Sequence, residues 1–468
     1  MLVSRLRQCC RTSLRQIRVQ DRKYTVAAST EAIANEMMQQ SVKRAALWTD
    51  DSGNLQATHT FLNPLRDHLL TEKGGQDYDC HDGFFMEVHE PTKSLMGAAL
   101  WRTARGQGCG GVRLRCYYDF EDYVNDGLRL SQGMGRKSAL AGLWWGGGKG
   151  VIAAPRNENG EFVLNDADRT SLLKAYGDFV TSIRGCYVGA EDVGICVDDV
   201  DTIFQNTRYT TCISPSLGGS GNPSVPTAHG IVASMEGALD FANMGTLEGK
   251  TIAVQGLGNV GGAMVGFLLE KGVAMVKCSD IDKERVNDAA NLSSDRVKAT
   301  LVSPLASMEE KNEILSADCD IVSPCGFGGV LNADTVPKIK AKIVCGAANN
   351  QLEDPNDDYG MSKNGILYVP DFVANRMGIV NCANEQYGRV GDLSEMADPS
   401  ISRHFSRDWD NSLFNVVRSV LKRAVNDNCS SVEAANLLSD AACAEPHPIW
   451  PHRSRQIIKS VIDDGWSS

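Results

Sequence analysis

Two lysines lie twelve residues apart in GMGRKSALAGLWWGGGKGVI, residues 133–152. Lys137 and Lys149 flank two tryptophans and three consecutive glycines. A phosphate-binding P-loop needs a Ser or Thr directly after its lysine, because that hydroxyl reaches a metal ion. Since Gly150 follows Lys149, the pattern excludes a P-loop, and the two ammonium groups need another chemistry.

The two lysines and one aspartate suit the oxidation of an amine that also bears a carboxylate. Lys137 is predicted to bind the substrate carboxylate. Lys149 is predicted to be the base, because burial beside Trp144 and Trp145 and repulsion from a second ammonium both disfavour its charged form. Asp192, in GAEDVG, lies among small residues and suits proton exchange with the substrate amine. The alternative is three unrelated surface charges.

The elements that would position these residues alternate along the first half of the chain. Helices are predicted over DYVNDGLRLSQGMGRKSALAGL and DADRTSLLKAYGDFVTSI, and strands over SLMGAALWR, GVRLRCYY, GVIAAP and the start of CYVGAEDVG. This order indicates an α/β domain. The Gly/Pro/Ser-rich residues 218–230 are the predicted hinge, with Ser224 capping the following helix and Pro226 in its first turn.

The second half of the chain restarts the alternation at Lys250. Strands are predicted over KTIAVQG, VAMVKCSDID, CDIVSPCG, KIVCGAA and GILYVPDF, with a helix over VGGAMVGFLLEKG. After about residue 400, amphipathic helices are predicted over SLFNVVRSVLKRAV, SVEAANLLSDAAC and SRQIIKSVIDD.

A glycine-rich turn follows the first strand of this second half. Gly256, Gly258 and Gly261 form GxGxxG between a predicted strand and a predicted helix, a setting typical of dinucleotide sites. The start of this helix, at Asn259, Val260 and Gly261, would hold the pyrophosphate. Asp280 ends the next strand, where a carboxylate accepts the ribose hydroxyls of NAD and repels the 2′-phosphate of NADP. NAD is therefore the predicted cofactor, and a purely structural glycine turn is the alternative.

Length and composition agree with a large globular protein. The 468 residues allow two or three domains, and no apolar run approaches the roughly 20 residues of a membrane helix. The formal charge of −11 argues against nucleic-acid binding, because an acidic protein repels phosphate backbones. The fifteen cysteines have neither CxxC pairs nor zinc spacing, so no metal site is expected.

The first 30 residues differ from the rest in charge. They hold six arginines, one lysine and a single acid, with scattered leucines and no apolar signal core. This composition is typical of a mitochondrial transit peptide and predicts a mitochondrial matrix location. A disordered basic tail is the alternative.

The order of these motifs resembles the amino acid dehydrogenases that act on glutamate, leucine, phenylalanine and valine, and leucine dehydrogenases most of all. GQGCGGVRL, the two-lysine stretch, YVGAEDVG, SPSLGGSGNPSVPTAHG, VQGLGNVG, CSDID, CGAANNQL and GILYVPDFVANRMGIVNCANE follow one another as in that family. The resemblance begins near Gly106 and runs to the end of the chain.

The resemblance implies a set of site residues. Lys149 and Asp192 would be catalytic, and Lys137 would bind the substrate carboxylate beside the glycine turn Gly110–Gly111. The three glycines before Lys149 would let the substrate and nicotinamide approach the backbone. Thr227 and Asn349 would hold the nicotinamide end, with Asn350 as a substitute for Asn349. The pocket for the substrate side chain would be formed by Cys109, Ala190, Ile379 and Cys382.

The resemblance also implies an architecture and an activity. The fold is expected to be α/β, with an N-terminal α/β substrate domain (residues 31–225) and a C-terminal Rossmann NAD domain (226–380) separated by a cleft. Residues 381–468 would be closing C-terminal helices that pack across the domains, and residues 1–30 the transit peptide. The expected activity is reversible NAD-dependent deamination of a small-molecule, branched-chain L-amino acid by a homo-oligomer that binds neither nucleic acid nor membrane.

Two departures leave the substrate open. Trp144 and Trp145 stand where the family carries smaller residues, and Arg376 and Met377 stand where leucine dehydrogenases tend to have Ala and Gly. If Arg376 pointed into the pocket, the substrate would be polar. The alternatives are therefore phenylalanine, valine or glutamate dehydrogenase activity, or a catalytically silent NAD-binding scaffold.

Overall fold

A computed structural model describes residues 28–72, 74–117, 119–155, 163–388 and 398–468, and these form two compact units. Unit 1 holds the described residues up to Ala139, Trp144–Gly221 and Cys443–Ser468. Unit 2 holds Leu140–Leu143 and Asn222–Ala442. Residues 1–27 of the predicted transit peptide lie outside the described residues.

The first half of the chain forms the elements of unit 1 that precede residue 222. The strands are β1 Arg44–Thr49, β2 Leu55–Ala57, β3 Gly83–His89, β4 Ser94–Trp101, β5 Gly108–Cys109, β6 Val112–Arg115, β7 Gly146–Ala153 and β8 Tyr187–Val188. The helices are α1 Thr30–Gln39, α2 Asn63–Leu69, α3 Phe120–Leu140, α4 Asp166–Ser182 and α5 Val197–Phe204.

The strands of unit 1 form one mixed sheet. Its order is β2-β1-β3-β4-β7-β5-β8, and β6 also pairs with β7. The strands from β2 to β7 along this order are antiparallel neighbours, whereas β5, β6 and β8 pair in parallel. The predicted strands in this half are confirmed, and α1, β1, β2, α2 and β3 are additions that the sequence did not reveal.

The second half of the chain supplies the remaining elements. The strands are β9 Thr251–Gln255, β10 Met275–Asp280, β11 Val297–Leu301, β12 Ile321–Pro324, β13 Ile343–Val344 and β14 Leu367–Tyr368. The helices are α6 Ser224–Phe241, α7 Asn259–Glu270, α8 Lys283–Leu292, α9 Met308–Asn312, α10 Asp357–Lys363, α11 Asp371–Ala374, α12 Met377–Tyr387, α13 Pro399–Ser402, α14 Leu413–Asp427, α15 Ser431–Cys443 and α16 Arg453–Asp463.

The strands of unit 2 form a parallel sheet of Rossmann topology. The order β11-β10-β9-β12-β13-β14 is 3-2-1-4-5-6 in chain order, which places the switch point beside β9. The strand cores are Val, Ile, Ala and Cys, because both faces of a parallel sheet are covered by helices. The predicted Rossmann domain and its five predicted strands are confirmed, and β11 is an addition.

Of two predicted details at the start of α6, one is wrong and one is confirmed. Ser224 does not cap α6, because that helix already begins at Ser224 and the serine hydroxyl donates to Asn222 Oδ1. Pro226 does lie in the first turn, as predicted.

The predicted C-terminal segment 381–468 is divided between the units. Val417 and Val420 of α14 pack in the core around α6 and β9 of unit 2. Ile458, Val461 and Trp466 instead pack against α4 in the core of unit 1. Each helix packs its buried apolar face on one of the two cores. The last residues of the chain therefore belong to unit 1.

Candidate active site

The predicted base and its predicted proton partner form a buried ion pair in unit 1. Lys149 lies in the middle of β7, opposite Ala99 of β4, and is 4% exposed. Asp192 lies in the loop after β8, and its Oδ2 accepts a hydrogen bond from Lys149 Nζ. The structure therefore brings these two residues together as the sequence predicted.

The glycine turn between β5 and β6 lies against this pair. A Cβ atom on Gly111 would come within 2.7 Å of the Asp192 Cβ, and one on Gly110 would come within 1.9 Å of the Gly148 carbonyl oxygen. Gly110 N–H donates to Val188, and Gly111 C=O accepts from Gly150. The turn is thus glycine because β7 and the loop that carries Asp192 approach it closely.

The three glycines before Lys149 have a different reason from the one that the sequence indicated. They are part of β7, not a loop that gives substrate or nicotinamide room to approach. A Cβ atom on Gly147 would meet the Ser131 carbonyl oxygen of α3 at 2.1 Å, and one on Gly148 would meet Gly108 at 2.6 Å. Protein backbone occupies the space beside these glycines, so they allow close packing of α3 and β5 on β7.

Lys137 lies in the last turn of α3 and is half-buried. Met134, three residues earlier, reaches to 3.0 Å from the position of a Cβ atom on Gly110. Residues three apart on a helix share a face, so Lys137 lies on the face of α3 that approaches the glycine turn. Cys109 and Ala190 of the predicted pocket are also buried next to this turn, since Val112 N–H donates to Ala190.

Arg113 is a charged residue of the site that the sequence did not reveal. Its Nε donates to Asp192 Oδ2 at 3.2 Å, the same oxygen that Lys149 reaches. Burial lowers the pKa of Lys149, Asp192 raises it, and Arg113 lowers it again. Burial raises the pKa of Asp192, but Lys149 and Arg113 outweigh burial and hold it below its usual value.

Burial is the largest effect on the pKa of Lys149, as predicted, and Arg113 is a repelling cation that the prediction did not include. Repulsion from Lys137 stays a prediction. The signal was present in GQGCGGVRL, where an arginine comes two residues after the second glycine of the turn.

Trp144 has a role away from Lys149. Arg105, which is 3% exposed, lies over the Trp144 ring at 4.4 Å and pairs with Glu445 at 3.0 Å. His447 meets the same ring edge-on. Trp144 thus packs against the C-terminal chain of unit 1, and its predicted shielding of Lys149 stays a prediction.

The glycine-rich turn of unit 2 has the geometry of a dinucleotide site. Gly256 has φ of +89°, and a Cβ atom on Gly261 would lie 2.0 Å from the Gly256 carbonyl oxygen. Gly258 is the N-cap of α7, so the first-turn N–H groups of Asn259, Val260 and Gly261 have no acceptor within the helix. These amides and the helix dipole form the site that favours a phosphate.

A cavity of about 270 Å³ lies over this turn at the carboxyl ends of β9, β10 and β12. Asp280 lines it, with one carboxylate oxygen accepting from Leu257 N–H at 2.5 Å and the other from Asp282 N–H at 2.8 Å. A carboxylate has about four lone-pair positions, so these bonds orient Asp280 and leave capacity for ribose hydroxyls. Arg285 and Lys311 also line the cavity.

The other predicted residues of unit 2 lie near the start of α6 and on α12. The Thr227 hydroxyl donates to Pro223 and lies 3.7 Å from the position of a Cβ atom on Gly378. Asn349 Oδ1 accepts from Asn375 Nδ2 at 2.8 Å, which fixes its amide. Ile379 and Cys382 are buried on one face of α12, three residues apart.

Arg376 does not point into an open pocket. It is 0% exposed, and its guanidinium donates to the carbonyl oxygens of Leu140, at 2.5 Å, and Asn411 within unit 2. Burial lowers its pKa to about 9. Its role is to satisfy two buried carbonyl groups, so the alternative in which Arg376 pairs with a substrate carboxylate is wrong.

Two features are absent from the described part of the chain. None of its helices is both long and apolar enough to cross a membrane. It also contains no cluster of three or more His, Cys, Asp or Glu side chains arranged to hold a metal ion.

Comparison with known proteins gives matches over most of the chain. Residues 218–446 match the family described as Glutamate/Leucine/Phenylalanine/Valine dehydrogenase, and residues 97–209 match its dimerisation domain. A leucine dehydrogenase of Geobacillus stearothermophilus is 40% identical over 67% of this chain and 80% of its own length. A valine dehydrogenase of Streptomyces coelicolor is 36% identical over 75% of this chain and 88% of its own.

Solved structures agree with these sequence matches. The crystal structure of L-tryptophan dehydrogenase from Nostoc punctiforme superimposes with a TM-score of 0.62 at 32% identity. The match covers 78% of this chain and 96% of that structure.

Proposed function

Because this chain belongs to the Glu/Leu/Phe/Val dehydrogenase family, we propose that it catalyses the reversible NAD-dependent oxidative deamination of branched-chain L-amino acids. The products are the 2-oxo acid and ammonia. The buried Lys149–Asp192 pair beside the Gly110–Gly111 turn carries the proposal, because it supplies a base and a carboxylate where an amine can be deprotonated. The leucine and valine dehydrogenases among the relatives support the substrate class.

The residues of unit 1 divide the proton chemistry. Lys137 binds the substrate carboxylate, and Asp192 accepts a proton from the substrate amine. Bound NAD would supply the acceptor for the hydride that leaves the substrate Cα, and the substrate would become an imine. Lys149 Nζ then takes a proton from water as that water attacks the imine carbon, and Asp192 returns its proton to the amine nitrogen. Ammonia leaves as the carbonyl group forms, and the remaining hydroxyl proton passes to solvent. The lowered pKa of Lys149, caused first by burial, keeps its neutral form accessible for this step.

The residues of unit 2 support NAD as the cofactor. The amides at the start of α7 would bind the pyrophosphate, and Asp280 would accept the ribose hydroxyls. The same carboxylate would oppose a 2′-phosphate. Thr227 and Asn349 would contact the nicotinamide end.

The pocket residues support an aliphatic substrate side chain. Cys109, Ala190, Ile379 and Cys382 are all buried and small or apolar. A side-chain carboxylate beside Cys109 and Ala190 in unit 1, or beside Ile379 and Cys382 in unit 2, would be desolvated without a partner, at a cost of several kcal/mol. Since the Arg376 guanidinium already donates to two backbone carbonyl groups, it would not relieve that cost.

Two further parts of the proposal concern the protein as a whole. A homo-oligomer is supported by the description of residues 97–209 as a dimerisation domain. A mitochondrial matrix location is supported by the arginine-rich, acid-poor composition of residues 1–30.

A panel assay tests the proposed reaction. Purified protein is mixed with NAD and each of the L-amino acids leucine, isoleucine, valine, phenylalanine, tryptophan and glutamate, and reduced cofactor is measured by absorbance. We expect kcat/KM for branched-chain substrates to exceed that for glutamate by well over tenfold. Lys149→Ala should abolish turnover, while Lys459→Ala, at an exposed position on α16, should not. Preference for glutamate, or activity in Lys149→Ala, would overturn the proposal.

A further inference from the structure

Arg113 shares one carboxylate oxygen with the base of the proposed reaction. Its Nε lies 3.2 Å from Asp192 Oδ2, and Lys149 Nζ donates to the same atom. Two cations on one oxygen compete for its negative charge. The strength of the Lys149–Asp192 pair therefore depends on whether Arg113 stays where it is.

A second carboxylate holds Arg113 in place. Arg113 Nη1 lies 3.2 Å from both oxygens of Asp126 on α3, which is 3% exposed. Asp126 also accepts from Tyr117 Oη and from Arg129 Nη2, each at 3.0 Å. Because Asp126 has three donors around it, the guanidinium of Arg113 is fixed at both ends, with Asp126 on one side and Asp192 on the other.

We propose that Arg113 is a positioning residue of the reaction, which orients the Asp192 carboxylate and limits the negative charge that Asp192 presents to Lys149. This inference rests on the proposed function, in which Lys149 is the base. With Arg113 present, the ammonium of Lys149 shares its counter-ion and loses its proton more easily. Without Arg113, Asp192 serves Lys149 alone, and its carboxylate is held on one side only.

The charges around Lys149 give the direction of the effect. Asp192 and Asp126 raise the pKa of Lys149, whereas burial and Arg113 lower it. Glu191 borders the same loop, and burial together with Asp192 raises its pKa. Removal of the Arg113 cation leaves the two aspartates and burial, so the pKa of Lys149 rises. A base with a higher pKa requires a higher pH before it is neutral, so the acid limb of the rate profile for deamination moves to higher pH.

A neighbouring ion pair makes it possible to distinguish this positioning role from a purely structural link between β6 and α3. Arg115 lies two residues after Arg113 on the same side of β6, and its Nη2 pairs with Asp122 Oδ2 at 2.9 Å. Asp122 lies four residues before Asp126 on α3. Arg115 therefore makes the same strand-to-helix connection without a contact to Asp192, which makes it a matched control.

The experiment measures pH profiles of kcat/KM and kcat for L-leucine with NAD in wild type, Arg113→Gln, Arg113→Lys and Arg115→Gln. For Arg113→Gln we expect the acid limb to move up by about one pH unit or more, because a neighbouring charge shifts a pKa by about that much. We also expect kcat at neutral pH to fall at least tenfold. Arg113→Lys should restore part of the shift, and Arg115→Gln should leave the limb in place. The dissociation constant of NADH should not change in any variant.

The outcomes are decisive in both directions. An unmoved limb in a folded Arg113→Gln protein would overturn the inference, and so would an equal shift in Arg115→Gln. A direct NMR titration of reductively ¹³C-methylated Lys149 follows its pKa without turnover. If wild type turned over no amino acid, the proposed function would fail, yet a raised Lys149 pKa in Arg113→Gln would still show that Arg113 controls this charge.

Discussion

Gly147→Ala tests whether close packing of α3 on β7 positions the reacting residues. The added Cβ would lie 2.1 Å from the Ser131 carbonyl oxygen and 3.1 Å from the Gly135 amide nitrogen, both on α3. Since non-bonded heavy atoms prefer about 3.5 Å, helix and strand must separate by roughly 1 Å or more. Such overpacking costs about 1–3 kcal/mol of stability.

The displacement reaches both predicted functional lysines of unit 1. Lys149 follows Gly147 by two residues on β7, and Lys137 lies on the helix that must move. A misplacement of about 1 Å lowers catalytic rates by roughly 100-fold, so we expect that loss in kcat/KM for L-leucine. The dissociation constant of NADH, measured by fluorescence, should remain at the wild-type value, because the glycine-rich turn belongs to unit 2.

Gly133→Ala is the matched control on the same helix. A Cβ atom on Gly133 meets nothing within 4 Å among the residues that the structure describes. Alanine in a helix interior is favoured over glycine by about 0.5–1 kcal/mol, so this variant should be as active as wild type and slightly more stable. Wild-type activity in a folded Gly147→Ala protein would refute the packing argument, and an equal loss in Gly133→Ala would show that α3 tolerates no change of any kind.

Four further predictions concern other parts of the chain. Lys137→Ala should raise KM for the amino acid far more than it lowers kcat in steady-state assays, since its proposed role is to bind the substrate carboxylate. Asp280→Ser should narrow the ratio of kcat/KM between NAD and NADP, because like charges about 4 Å apart repel by about 4 kcal/mol at an effective dielectric of 20; an unchanged ratio would contradict the assigned role. Arg376→Ala should lower the melting temperature, because two buried carbonyl groups would lose their hydrogen-bond donor, at a cost of about 1–3 kcal/mol of stability each. The ratio of kcat/KM between leucine and glutamate should stay the same. Residues 1–35 fused to a fluorescent reporter should direct it to mitochondria, and a diffuse cytosolic signal would contradict the transit-peptide hypothesis.

The Rossmann unit was predictable because its signals are local. The strand KTIAVQG, the turn from Gly256 to Gly261 and the acid Asp280 occur within about thirty residues, and each has one geometric reason. The parallel order of the strands then follows from right-handed crossovers through helices. The strand β11 was missed because three of its five residues are exposed, which removes the apolar pattern typical of a buried strand.

The packing in unit 1 was not predictable from the sequence in the same way. Three glycines before a lysine are compatible with a loop, and only the pairing of β7 with β4 and β5 shows that they form a strand. The reason for glycine lies in α3, more than ten residues earlier, whose carbonyl of Ser131 occupies the space beside Gly147. Sequence spacing carries no information about which distant backbone will approach.

Arg113 and Arg376 show why a buried arginine cannot be interpreted from its type alone. Both are cations that lie near motifs of the family, and the sequence offers no means to separate them. Arg113 donates to two carboxylates, so its charge changes the pKa of the groups around it. Arg376 donates to two carbonyl groups, so its charge is met by dipoles and its hydrogen bonds stabilise the fold of unit 2. The acceptors therefore decide the role of each guanidinium: removal of Arg113 should move a pH profile, whereas removal of Arg376 should move a melting temperature.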